Sequence, residues 1–461
     1  MSMHDGFHRA GGAARARGFN LVELMVAIAL GILIGLGLVM LFDATSKTNH
    51  VQEAMAEMQE NGRFAMTRLN DDLRLASRQL MNSTGYSDPA HPNTALTLAA
   101  NVYVASVPFP DGALTPPASW PAMTSSKPWW PLSPTYFVVG NNCTTSCTPS
   151  TVPAYIPAMG TAAGNRVQNA DVLTVRYLNS AGWTSTIGDS GGVEVTANCA
   201  GANLTNLAWH QVTQTSGGYT YTTAPLTLVT GQLALLADSS GNLEIFPVTV
   251  SVSGSNATIT PTAAQINSGG SVACEKSGEL KLFNFTKDFV TVTYWLRLDA
   301  DPNVAGRLIP ALMRTQADNS GAPGAGATHT DTELVQGVEQ MDFLFGFQEG
   351  SGNVQFLTAD KVAGTSSSAT CTPPPGQYIN ANAGYEATCL WRSLSSIEVH
   401  FLIDSVNNLY TLTAPEQVYS YNGATNLVPV ASPGKMPSGL DAGAMMRREF
   451  ISLVSVRNYN S

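Results

Sequence analysis

The pattern of apolar and polar positions in the first 80 residues predicts one long helix that begins as a membrane span. An unbroken apolar run extends from Phe19 to Phe42, and Glu23 is the only charged residue in it. As a helix the run is roughly 36 Å long, and a bilayer's hydrocarbon core is about 30 Å thick. A secretory signal peptide has a shorter apolar region of about 7 to 15 residues. We therefore predict a transmembrane helix over residues 19–42.

The pattern beyond the span predicts an amphipathic continuation of the same helix over residues 43–80. Apolar or small residues recur there at spacings of three and four, which places them on one face of a helix. They are Val51, Met55, Met58, Gly62, Ala65, Leu69, Leu73, Ala76 and Leu80. This stripe suits either a coiled-coil partner or the chain's own sheet, and we favour the sheet.

Residues 81–461 change to short alternating runs separated by Gly, Pro, Ser, Thr and Asn, which is typical of strands joined by turns. The runs predict strands at 171–178, 232–237, 243–252, 289–298, 337–348 and 396–403. Residues 108–134 combine many prolines with three tryptophans. This segment is either an exposed binding loop or a packed cover, and we favour the cover.

Composition and motifs point away from nucleic acid and from catalysis. Charged residues make up 12% of the chain and the formal net charge is -10, so no basic field exists to bind phosphate backbones. Zinc-protease and P-loop motifs are absent from the sequence, and we expect no enzyme activity, cofactor or metal site. Asp299 to Asn303 looks like the start of a calcium loop but fits a hairpin turn better.

Six cysteines lie beyond the apolar run, an even number that favours disulfides in an oxidising compartment. Fifteen pairings are formally possible. Proximity favours joining Cys143 to Cys147 and Cys371 to Cys389, which leaves Cys199 with Cys274. A metal site is the weaker reading, because no histidine lies near the cysteines at ligand spacing.

Residues 1–18 are a polar leader with three arginines and one aspartate, so we expect the leader on the cytoplasmic side and the rest outside. Glu23 needs an explanation, since a carboxylate in hydrocarbon costs several kcal/mol unless it is neutralised or paired. One explanation is its position near the helix start, where Glu23 could extend to the membrane interface or act as an N3 cap with Asn20 as the N-cap. The other is a functional ion pair.

The segment Arg17-Gly18-Phe19-Asn20-Leu21-Val22-Glu23-Leu24 resembles the processing site of type IV prepilins. In that family a prepilin peptidase cuts after the glycine and methylates the new N-terminal amine. The resemblance implies cleavage between Gly18 and Phe19, methylation of the Phe19 amine, and a role in assembly for Glu23. It also implies a pilin-like α+β fold with a long N-terminal helix on an antiparallel sheet, here with large β-rich loop insertions.

Three later segments resemble the carboxy-terminal part of the PilW family of minor pilins. They are Val290–Arg297 with Leu312–Arg314, Glu333–Phe343 with Phe345–Phe347, and Arg447–Asn458. Residues 100–280 match no family we can name.

This resemblance implies a minor pilin that starts in the bacterial inner membrane, with its carboxy terminus in the periplasm, and then joins a type IV pilus. The implied partners are prepilin peptidase, other minor pilins, the major pilin and membrane lipid, with no nucleic acid. Two alternatives remain. A pseudopilin of a type II secretion system carries the same signal, and a singly anchored periplasmic binding protein would make the signal a coincidence.

Overall fold

The structure, a computed structural model, describes these residues: 20–76, 86–87, 95–96, 102–103, 108–109, 112–113, 138–149, 152–180, 182–185, 204–208, 210–215, 218–223, 226–237, 243–253, 256–261, 280–318, 329–348, 354–364, 394–409, 412–429, 440 and 443–456. The chain divides into two compact units, Met1–Ala56 and Glu57–Ser461.

The first helix, α1, extends from Leu21 to Leu75. Its apolar run ends at Phe42, and the next turn carries an exposed i,i+4 ion pair in which Lys47 Nζ lies 2.7 Å from Asp43 Oδ2. Charged partners at this spacing are neighbours on a helix surface and suit water. The change from apolar to charged side chains therefore falls where the predicted span ends.

Short helices and many strands follow. The helices are α2 (Phe285–Asp288), α3 (Ala359–Gly364) and a 3-10 turn (Ala414–Gln417). The strands up to residue 261 are β1 (Tyr86–Ser87), β2 (Ala95–Leu96), β3 (Val102–Tyr103), β4 (Pro108–Phe109), β5 (Gly112–Ala113), β6 (Val138–Cys143), β7 (Cys147–Thr148), β8 (Val172–Leu178), β9 (Trp183–Ser185), β10 (Leu204–Ala208), β11 (His210–Thr215), β12 (Gly218–Thr223), β13 (Leu233–Ala237), β14 (Leu243–Ser253) and β15 (Asn256–Pro261).

The later strands are β16 (Leu280–Asn284), β17 (Phe289–Ala300), β18 (Leu308–Ala317), β19 (His329–Gln336), β20 (Val338–Gln348), β21 (Val354–Leu357), β22 (Leu394–Asp404), β23 (Tyr419–Tyr421), β24 (Ala424–Leu427) and β25 (Arg447–Ser455).

Three sheets contain most of these strands. The first has six strands in the order β19-β18-β17-β8-β6-β7, and the second has four in the order β21-β20-β22-β25. A nine-stranded sheet has the order β10-β15-β14-β13-β16-β9-β11-β12, with β3 beside β14. Every strand pair in the described part of the chain is antiparallel except β3 with β14. The α+β fold with a long helix and antiparallel sheets is therefore confirmed.

The outer part of α1 packs on this β-rich core through the predicted stripe. Met58, Ala65, Leu69 and Leu73 are buried in one cluster with side chains of β8, β17, β20 and β22. A glycine is required at position 62 because the Phe450 ring on β25 lies close to the helix backbone there. A Cβ at this position would be 2.5 Å from that ring. The stripe is thus buried from Met58 to Ala76, and the chain's own sheets bury it.

The predicted strands are confirmed at all six places, as β8, β13, β14, β17, β20 and β22. The hairpin turn predicted near Asp299 is also confirmed, since β17 pairs with β18 across it. Helix α1 ends at Leu75, short of the predicted end near Leu80, and residues 77–80 lie outside the described part. The proline- and tryptophan-rich segment 108–134 is described only as β4 and β5.

Candidate functional site

The amino-terminal end of α1 is the first candidate site. Gly18 and Phe19, the predicted cleavage and methylation positions, lie outside the described residues. The Asn20 side chain accepts a hydrogen bond from the Val22 N–H at 3.4 Å, and Glu23 is exposed in the first helical turn. Asn20 therefore does act as a helix cap, and the Glu23 carboxylate remains open to a partner from outside its own unit.

The surface of this helix is apolar and uncovered. Its large apolar side chains from Leu21 to Phe42 are between 50% and 73% exposed. By length and composition α1 can cross a membrane, and it is the one such helix among the described residues. Exposed apolar surface on this scale requires lipid or other apolar helices around it.

A buried polar group, the Asp72 cluster, holds the outer part of α1 to the six-stranded sheet. It consists of Asp72, Tyr177 on β8, Tyr294 on β17 and Arg314 on β18. Asp72 is 1% exposed and its two carboxylate oxygens accept hydrogen bonds from Tyr177 (2.8 Å), Tyr294 (2.5 Å) and the Arg314 Nε–H (2.6 Å). Each of three adjacent strands thus contributes one donor side chain to a single helical carboxylate, and Arg314 donates a second hydrogen bond from Nη2 at 3.4 Å.

The electrostatics of the Asp72 cluster follow from its burial. Removal from water raises the pKa of Tyr177 and Tyr294, and the nearby Asp72 charge raises both further, so both phenols stay protonated donors. Arg314 also donates to the Tyr177 hydroxyl at 3.1 Å and to Gln316 at 3.0 Å. A buried carboxylate with three donor side chains, one of them the Arg314 cation, and with the Arg68 guanidinium 3.9 Å away satisfies the conditions for a stable buried charge.

A second buried group, the Glu339 cluster, links three strands of the four-stranded sheet, among them the carboxy-terminal strand β25. It consists of Glu339 on β20, Asp404 at the end of β22 and Arg447 at the start of β25. Arg447 donates through Nε and Nη2 to the two Glu339 oxygens, each at 2.8 Å, in the bidentate geometry that favours arginine. Burial, and then the charge of Glu339, raises the pKa of Asp404 well above its ordinary value.

Gly337 makes room for this arrangement. It has a φ of +85°, a backbone conformation that residues with a Cβ rarely adopt. A Cβ there would also lie 2.7 Å from the Asp404 Oδ1 atom. The glycine turn therefore allows β19 of one sheet to continue directly into β20 of the other beside the Glu339 cluster.

A third polar group lies on the face of the four-stranded sheet that the β23–β24 hairpin partly covers. The buried His400 ring has Nδ1 2.8 Å from Glu449 Oε1 and Nε2 2.9 Å from Glu398 Oε1. Burial is the main cause that raises the pKa of the neighbouring Asp342. No group of three or more His, Cys, Asp or Glu side chains in the described residues is placed to hold a metal ion.

The cysteines are described in part. Cys143 and Cys147 form a disulfide that closes the β6–β7 hairpin. The other four predicted disulfide cysteines, Cys199, Cys274, Cys371 and Cys389, lie outside the described residues, so their pairing stays a prediction.

Comparison with known families assigns the carboxy-terminal part of the chain. Residues 293–458 match the model of the family described as Type IV Pilus-assembly protein W, PilW. The chain contains a PilW region. This region confirms the PilW resemblance, implies a part in type IV pilus assembly, and belongs to a family that is not an enzyme family. No curated protein and no solved structure matches the chain.

The buried clusters lie largely within the PilW region, and the sequence analysis missed them. Tyr294, Arg314, Glu339 and Arg447 each come from one of the segments that carry the family resemblance, but the apolar pattern of these segments does not predict their pairing. A signal did exist. Asp72 falls on the same helical face as Ala65, Leu69 and Ala76, where a charged residue requires a buried partner.

Proposed function

We propose that this chain is a minor pilin, which loses its leader 1–18, stays in the inner membrane through residues 19–42, and joins a type IV pilus at low copy. In this role it primes pilus assembly or lies near the tip. Prepilin peptidase processes it, and its amino-terminal helix contacts other minor pilins and the major pilin.

The observation that carries the proposal is the uncovered apolar part of α1 in a chain that also contains a PilW region. No described residue covers this part of the helix, and a pilus offers a cover in the apolar helices of neighbouring subunits. The PilW region supports pilus assembly independently, since it lies at the other end of the chain.

Glu23 supports the same role by its chemistry. Cleavage after Gly18 would create an amine at Phe19, and that amine on an adjacent subunit is a suitable counter-charge for an exposed carboxylate in the first turn. An ion pair between subunits in lipid would fix the axial stagger of the two helices. The pair would also favour entry of the chain into a helical bundle over residence alone in the membrane.

The size of the second unit favours low copy number. Glu57–Ser461 forms one compact unit, and its described residues include three large sheets. A subunit of that bulk would interrupt the regular stacking of slender shaft subunits. A place at the tip, where stacking continues on one side only, avoids this conflict.

The experiment is to measure the amino-terminal mass of the protein recovered from cells with and without active prepilin peptidase. We expect a start at a methylated Phe19 in the first strain and the intact leader in the second. Sheared pili from the first strain should contain the processed form. An unprocessed chain in both strains, or absence from sheared pili, would refute the proposal.

A further inference from the structure

The β6–β7 hairpin places a buried arginine against a disulfide. The Arg166 guanidinium atom Nη1 lies 3.3 Å from Cys143 Sγ and 3.2 Å from Cys147 Sγ. The same side chain donates from Nε to the Pro157 carbonyl at 3.4 Å. The backbone of Arg166 is fixed as well, since its N–H donates to Ala158 O and its carbonyl accepts from Gly160. The guanidinium is therefore held against both sulfurs.

This arginine has no anionic partner in the described part of the chain. Arg166 is buried, and burial lowers its pKa with no compensating carboxylate. A buried cation without an anion is unfavourable, and a neutral disulfide has no negative charge to compensate it. Reduction of the disulfide would supply the missing anion, because a cysteine thiolate beside an arginine is stabilised.

The two sulfurs differ in access. Cys143 is buried at 2% exposure, whereas Cys147 is partly exposed at the hairpin. An incoming thiolate therefore reaches Cys147, and Cys143 becomes the leaving group. A leaving thiolate departs faster when its charge is stabilised, and Arg166 lies where that charge develops.

We propose that the Cys143–Cys147 hairpin is a thiol–disulfide exchange site for a dithiol oxidoreductase, with Arg166 stabilising the thiolate that is released. In the first step a thiolate of the oxidoreductase bonds to Cys147 Sγ as the Cys143–Cys147 bond breaks, and Cys143 leaves as a thiolate. In the second step the other thiolate of the oxidoreductase displaces Cys147. The Cys143–Cys147 pair gains two electrons and is reduced to two thiolates. The two cysteines of the oxidoreductase lose those electrons and are joined as a disulfide.

Carboxyl groups near the hairpin set the background charge. Asp171 accepts the Cys143 backbone N–H at 3.0 Å, and burial followed by the charge of Asp342 raises its pKa well above its ordinary value. Asp360 accepts a hydrogen bond from Asn142 at 2.7 Å. The raised pKa of Asp171 keeps it neutral over a wider pH range, which limits its opposition to a neighbouring thiolate.

The test equilibrates the full chain with fixed ratios of reduced to oxidised glutathione. The state of Cys143 and Cys147 is then determined by alkylation and mass measurement of the peptide that contains these two cysteines alone. We expect Arg166→Met to lower the ratio of reduced to disulfide form about tenfold, the effect of one pKa unit at a thiol. Arg166→Lys, which keeps the charge, should stay closer to the original protein.

Arg176→Met is the matched control, since Arg176 is also a buried arginine but bonds Thr291. It should leave the ratio unchanged. Folding of each variant is checked by circular dichroism. After reduction of the unaltered protein, the pH dependence of alkylation at Cys143 and Cys147 gives an independent readout. Equal ratios for Arg166→Met and the original protein, or alkylation that follows an ordinary cysteine pKa, would overturn the proposal.

Discussion

At the scale of single residues, carboxylates fall into two groups, those whose hydrogen-bond partners come from their own unit and those whose partner must come from another molecule. Asp72 is buried with three donors from its own unit, whereas Glu23 is exposed on an apolar helix. A buried carboxylate with internal hydrogen-bond partners stabilises the fold. An exposed carboxylate on an apolar surface can instead form an ion pair with a cation of another molecule. The two groups call for different experiments, on stability and on assembly.

The Asp72 cluster predicts a large loss of stability when its charges are unbalanced. Asp72→Leu leaves the Arg314 cation buried without its carboxylate, so the free energy of unfolding should fall by about 3 to 5 kcal/mol. Arg314→Leu should cost a similar amount. The double variant removes both charges together, and its loss should be smaller than the sum of the single losses. Urea unfolding of the full chain in detergent measures all three.

Asp71→Asn is the matched control for this prediction. Asp71 is the exposed neighbour of Asp72 on the same helix, so its change should stay within about 0.5 kcal/mol. Additive losses in the double variant would contradict the buried pairing between Asp72 and Arg314.

At the scale of elements, the carboxy-terminal strand β25 is fixed by β22 on one side and by the Glu339 cluster at its start. The raised pKa of Asp404 means that the native protein retains a proton that the unfolded chain releases above its ordinary pKa of 3.8. The contribution of this proton to stability is complete below that pH. It is lost as the pH rises through the folded-state pKa.

This linkage predicts a pH-dependent effect of Asp404→Asn, which keeps the side chain neutral at every pH. The variant should gain stability relative to the original protein as the pH is raised above 4, by up to about 1.4 kcal/mol per pH unit. Unfolding of both proteins between pH 4 and 8 measures the difference. A difference that stays constant over this range would show that Asp404 is not the group that retains the proton.

The elements also show how far sequence patterns lead. Alternation of apolar residues predicted β17 and β20 because each places side chains into one core, and the three-four spacing predicted the buried stripe of α1. The same patterns say nothing about which strands are neighbours. Strands β8 and β17 pair although they are more than 100 residues apart. Their pairing depends on complementary side-chain packing and on the Asp72 cluster, and no local pattern encodes either.

At the scale of the whole molecule, the proposed pilin role predicts what happens when Glu23 is changed. Glu23→Ala and Glu23→Gln both remove the charge that would pair with a Phe19 amine on an adjacent subunit. The amount of protein in sheared pili should fall about tenfold or more, while its amount in the membrane stays the same. Immunoblots of both fractions measure this.

Glu53→Ala provides the comparison, because Glu53 is an exposed carboxylate on the same helix beyond the apolar run. It should leave incorporation into pili unchanged. Normal incorporation of Glu23→Ala would remove the assembly role of this carboxylate and leave the Asn20 cap as the explanation of the helix start.

The contact between Gly62 on α1 and Phe450 on β25 has a consequence for biosynthesis. The ribosome makes the helix first and the strand last. The helix surface at Gly62 therefore lacks its partner Phe450 while nearly 400 residues are added. Asn70 on the helix likewise cannot donate its hydrogen bond to the Ser452 hydroxyl until β25 has been made. Until the last residues emerge, the stripe of α1 and the carboxylates of Glu339 and Asp404 lack their final partners. A chain that stops early is therefore left with apolar surface and unpaired charge for proteases to recognise.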